Sequence, residues 1–146
     1  MRFLHPLLIA TLLTACGPAE QAAPGGDEPE TSGPTLADFA GTWDNEAMIE
    51  GVADPVPSTL HGSASASGWT MDLEGRPGLP LTVSIVGDSL IVESGQYESV
   101  LREGVMVSIR TAVVLENGAM VGKMMATYET PDGEEVVYGT MRATRN

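Results

Sequence analysis

From Ala40 onward the chain is cut into short apolar stretches by tight-turn signals, and no stretch carries apolar residues at helical spacing. Gly87-Asp88 separates Leu81, Val83 and Ile85 from Leu90 and Val92. Asn117-Gly118, a pair that readily adopts the positive φ values of a type I′ turn, joins Val113 and Leu115 to Met120. Pro131-Asp132-Gly133 joins Tyr128 to Val136 and Val137 in the same way. This punctuation predicts strands over 40–49, 58–65, 68–74, 80–87, 89–96, 104–115, 119–130 and 134–144. The fold class is therefore all-β, an antiparallel up-and-down arrangement of about eight strands. Closing them into a small barrel removes exposed edges, and an open sandwich is the alternative. In the longest hairpin, Val105, Val107, Ile109, Thr111 and Val113 form the better core face, with Met106, Ser108, Arg110 and Ala112 opposite. Met124 and Met125 are adjacent and must point to opposite faces.

The residues before this domain have a different texture. Arg2 is followed by Leu4, Leu7, Leu8, Ile9, Leu12 and Leu13, and then by Leu13-Thr14-Ala15-Cys16. A positive start, a short apolar run and small residues before a cysteine resemble a lipoprotein export signal. The resemblance implies removal of 1–15 and lipid on Cys16. The run is too short for a permanent span, which needs about 20 apolar residues. Residues 16–35 comprise the lipidated cysteine and a Pro-, Gly- and acid-rich tether with no large apolar side chain. Gly17 rather than Asp after the cysteine points to the outer membrane, facing the periplasm. The domain proper then covers 36–146.

Cys16 is the single cysteine, so the domain forms no disulfide. Without Arg2 the chain has six basic against 20 acidic residues, a net charge of −14. Such a surface repels nucleic acid and anionic lipid head groups, which excludes nucleic acid as a partner.

Two ends of the domain carry a family resemblance. Gly41-Thr42-Trp43 is a G-x-W at the start of the first strand, and Tyr138 to Arg145 is a final strand bearing arginines. This resembles the lipocalin-like (calycin) barrels, where the tryptophan sits at the closed end and an arginine of the last strand lies across its ring. The resemblance gives Trp43 the tryptophan's structural place and Arg142, or Arg145 three residues on, the arginine's. It also implies a binding cavity. The threonine-aspartate-tyrosine motif and the closing C-terminal helix of lipocalins have no counterpart here.

Chemistry is sparse. His61 is the only histidine after His5, and it sits in no nucleophile motif. One histidine and no further cysteine do not make a zinc site. Lys123 has no serine three residues before it, and Asp132, Glu134 and Glu135 lack the spacing of a calcium loop. No catalytic residue, metal site or cofactor is assigned, and the chain is read as no enzyme. The methionines Met48, Met71, Met106, Met120, Met124, Met125 and Met141 are read as packing residues rather than copper ligands.

The segment 95–104 holds Tyr97, Glu98, Ser99 and Arg102 where a hairpin needs only two to five residues. Trp69, Arg76, Tyr97 and Arg102 are the expected ligand-binding residues at the barrel mouth, with methionines inside and a Glu98–Arg102 pair holding the loop. The expected function is binding of a small apolar or amphipathic ligand in the cell envelope, by a barrel held on the membrane through Cys16. The alternative is a filled-core module that docks to an envelope protein through strand edges or this loop. A cavity of a few hundred Å³ would mark the carrier.

Overall fold

The computed structural model describes residues 32–146. The expected signal segment, Cys16 and the tether up to 31 lie outside the described residues. The described chain is a closed antiparallel barrel of eight strands with one short extra strand, compatible with a lipocalin-like fold. In chain order the elements are α1 (Leu36–Phe39), β1 (Gly41–Ile49), β2 (Val56–Gly62), β3 (Thr70–Leu73), β4 (Arg76–Val86), β5 (Ser89–Ser94), β6 (Tyr97–Glu98), β7 (Met106–Glu116), β8 (Ala119–Thr130) and β9 (Gly133–Arg145). Neighbours in the sheet run β5-β4-β3-β2-β1-β9-β8-β7-β6, and a β5–β7 ladder closes the ring. Closure removes the long edges through which a docking module would pair.

Each expected turn is present. Asn117 and Gly118 both take positive φ, 51° and 80°, as a primed hairpin turn requires. Three differences are informative. One helical turn, α1, precedes the first strand; Asp38 reaches back to the Thr35 amide at 2.7 Å and to its hydroxyl at 2.8 Å. Those bonds hold the Asp38 carboxyl below its ordinary pKa, the Thr35 amide contributing most. β4 begins at Arg76 despite Pro77 and Pro80, because its β5 ladder starts only at Leu81, opposite Ser94, and leaves 76–80 unpaired on that side. Finally, β6 continues the line of β5 along β7 after a break at Gly95-Gln96, pairing Tyr97 with Val107 and Glu98 with Met106.

Alternation sorts the side chains as the barrel demands. On β1, Trp43, Ala47 and Ile49 are buried while Asp44, Glu46 and Met48 are exposed. On β7, Val107, Thr111 and Val113 are buried, the face expected for that hairpin. Met124 is buried and Met125, on the other face, only partly so.

One end of the barrel is filled. Phe39, Trp43, Leu60, Trp69, Leu90, Val113, Met120 and Ala143 are all buried in a single cluster. Both indoles donate to a carbonyl four residues earlier, Trp43 to Phe39 at 2.9 Å and Trp69 to Ser65 at 2.8 Å. The guanidinium of Arg145, not Arg142, lies over the Trp43 ring, 4.3 Å from its centroid. Arg145 also donates to the carbonyls of Ala40 at 2.6 Å and Asp38 at 3.1 Å, tying the last strand to the first. Gly41 permits this: its φ is +128°, and a Cβ there would lie 2.7 Å from Arg145 Nη1. Arg142 is exposed on the outer face, opposite Glu46 and Val121.

Candidate functional site

The other end of the barrel is built from a row of inward residues on β6, β7 and β8. Tyr97, Val107 and Tyr128 are consecutive rung partners and are all buried. Burial, and then the neighbouring Tyr128, push the Tyr97 phenol up to about 12. A guanidinium covers each ring: Arg76 lies 5.8 Å from the Tyr97 centroid and Arg102 lies 4.2 Å from that of Tyr128.

Residues 99–104 fold across this end. Ser99 Oγ accepts from the amides of Leu101 and Arg102, at 3.0 and 3.1 Å, which sets the loop's curl. Arg102 then makes a two-pronged pair with Glu135 on β9, at 2.7 and 2.9 Å, latching the loop to the far rim. The pairing holds the Glu135 carboxyl below its ordinary value and raises the Arg102 guanidinium. The expected Glu98–Arg102 pair is not formed. Glu98 instead accepts from the Gly104 amide at 3.0 Å.

Behind the loop is an internal cavity of about 80 Å³. Its walls include Ala47, Leu60, Met71, Ile109, Met124 and Met141, together with Asn45, Ser58 and Thr111, and among the described residues no charged side chain lines it. The volume is well below the few hundred Å³ expected of a carrier. An eight-stranded barrel is only just wide enough for its own side chains. Here Trp43 and Met120 take up the closed end while Tyr97 and Tyr128 take up the other. Beside the cavity, where β4 and β6 part, a polar cleft of about 270 Å³ runs between Glu74, Gly75 and Arg76 on one side and Glu98, Ser99 and Val100 on the other. Ser99 and Val100 line both spaces, so the cleft adjoins the cavity.

The four residues expected at the mouth therefore divide. Tyr97 lines the cavity, Arg76 lines the cleft, and Arg102 latches the covering loop. Trp69 is elsewhere: it is 1 % exposed in the closed-end cluster, its ring tips 2.8 and 3.0 Å from where a Cβ on Gly62 would stand. The missing Cβ of Gly62 makes room for the indole, so Trp69 is a packing residue. Four methionines do line the interior (Met71, Met120, Met124 and Met141), whereas Met48 and Met106 are exposed. His61 lies on the outer face, its Nε2 3.1 Å from Asp72 Oδ2.

Asn45 was not singled out from the sequence, yet it carries the most unusual polar atom of the interior. Its Oδ1 is buried without a hydrogen-bond partner. The signal was available in the alternation: Asn45 shares its face with Trp43, Ala47 and Ile49.

No family model matches the chain, and no curated protein or solved structure matches it.

Proposed function

We propose that this chain is a non-enzymatic binding protein that holds a small apolar or amphipathic molecule in the barrel interior. We further propose that it works in the cell envelope, tethered through lipid on Cys16 and facing the periplasm from the outer membrane. The observation that carries the binding reading is the uncharged cavity, with four methionines in its lining, covered by a latched loop. A solidly packed core would have no such space. Equilibrating the protein with xenon tests the interior directly, because dry apolar cavities take up that gas. Methyl resonances of Met71, Met124 and Ile109 are expected to shift. Unmoved methyls would mean a filled interior and would overturn the reading.

A second reading, docking to another envelope protein, has one observation in its favour. Met48, Val136 and Tyr138 are exposed on the outer faces of the paired strands β1 and β9.

A further inference from the structure

Among the described residues, the buried side-chain atoms lacking a hydrogen-bond partner are Asn45 Oδ1 and Arg76 Nε. Arg76 belongs to the outer cleft, whereas Asn45 belongs to the cavity. Asn45 Nδ2 donates to Ser58 Oγ at 2.8 Å, and the two residues are rung partners on β1 and β2. The Ser58 hydroxyl, having accepted that bond, keeps its own proton to donate. An acceptor and a donor therefore stand side by side in an uncharged wall whose other polar groups are the hydroxyls of Ser94, Tyr97, Ser99, Thr111 and Tyr128.

Their depth sets an orientation. The next inward rung, Trp43 and Leu60, belongs to the filled end of the barrel, whose Leu60, Val113 and Met120 form the cavity floor, so Asn45 and Ser58 stand one rung above that floor. At the opposite end the cavity is lined by Val100 and Leu101 of the covering loop, which are 42 % and 40 % exposed. The polar pair is deep and the apolar pair is at the mouth.

We infer that the cavity takes a neutral aliphatic alcohol, bound hydroxyl-first, with its tail directed toward Val100 and Leu101. This rests on the binding reading above. The ligand hydroxyl donates to Asn45 Oδ1 and accepts from Ser58 Oγ, completing both groups. A carboxylate would place an uncompensated charge among walls that carry none. An ether would leave Asn45 Oδ1 unpaired. The cavity, about 80 Å³, compares with about 150 Å³ for one that takes benzene. It holds the hydroxyl end, and a longer tail displaces the Val100–Leu101 segment.

The test is a nuclear magnetic resonance titration of the purified protein with hexanol, its isomer methyl pentyl ether, and hexanoate at neutral pH. Hexanol is expected to bind about tenfold or more tightly than the ether, with the Asn45 side-chain amide among the resonances that move. In Asn45→Leu the alcohol's advantage should fall to within about twofold while the ether still binds. If that variant does not fold, Ser58→Ala supplies the check: hexanol and the ether should both weaken, each losing the Ser58 donor, and undiminished binding of both would place the ligand oxygen elsewhere and overturn the inference. Equal binding of alcohol and ether by the native protein would overturn the inference and leave the cavity reading standing. Tighter binding of hexanoate would overturn the neutral head group. Binding of none of the three overturns this ligand class, and only unmoved methyls under xenon would also overturn the cavity.

Discussion

Replacing Arg145 by alanine should destabilise the barrel far more than replacing Arg142, although the two arginines are three residues apart on one strand. Arg145 donates to two carbonyls of the α1–β1 junction and covers the Trp43 ring. Hydrogen bonds with one charged partner contribute about 1.5–3 kcal/mol each when well shielded, and an exposed cation–π contact about 0.5–1 kcal/mol. The Arg145 side chain is exposed, which reduces the sum to about 2 kcal/mol. For a domain of this size that corresponds to a fall of about 8–12 °C in Tm. Arg142→Ala, on the open outer face, should stay within about 0.5 kcal/mol of the native protein. Arg145→Lys should recover less than half the loss, because an ammonium cannot span two carbonyls and a ring as the planar fork does. Thermal unfolding followed by far-ultraviolet circular dichroism measures all three variants. An Arg142→Ala protein as unstable as Arg145→Ala would refute the assignment of Arg145 as the tie between the chain ends.

Other outcomes follow from the same geometry. Gly62→Ala should lower Tm sharply, since the new methyl would stand 2.8 Å from both the Trp69 ring and the Phe39 carbonyl; a calorimetric scan reads it. The Tyr97 phenol, raised to about 12 from 10.0, favours the folded state while neutral. That contribution is complete below pH 10.0 and is lost as pH rises toward about 12, so Tyr97→Phe should flatten the alkaline fall in stability. Glu135 is shifted the other way. Its contribution is present above the ordinary value of 4.5 and is lost as pH falls through the lowered folded value. The protection of residues 99–104 against hydrogen exchange, taken relative to intrinsic rates at each pH, should therefore fall in acid, and Glu135→Gln should show that lowered protection at neutral pH. Cys16→Ser should release the protein from the membrane fraction of its host; continued sedimentation with membrane would refute the lipid anchor.

How much of this was legible in the sequence varies from element to element. The hairpin turns could be read because Asn117-Gly118 and Gly87-Asp88 have few other conformational uses. The core face of β7 could be read because Arg110 and Ser108 sit on the opposite parity. On β9 the parity signal fails. Val137, Gly139, Met141 and Ala143 face inward, yet the outward set contains Val136 and Tyr138, so Arg142 and Arg145 could not be told apart. Trp69 stands near the start of the strand expected over 68–74, where the pattern does not tell the mouth from the closed end, and only the three-dimensional gap left by Gly62 reveals its burial. The Arg102–Glu135 latch joins residues 33 apart, a pairing that local pattern cannot supply. Asn45 is the instructive omission. A polar residue on the apolar parity of a strand was visible, but its unmet hydrogen bond emerges only when every neighbour has been placed.

Whether the barrel interior holds a small molecule can be read by native mass spectrometry of the chain purified from its own host's envelope. The comparison is Ala126→Leu, which adds bulk at a buried cavity-lining position. A reproducible added mass is expected on the native chain, one that organic extraction removes and that the folded variant lacks. An equal added mass on both proteins would place the ligand outside the cavity, and no added mass on the native chain would overturn the binding reading.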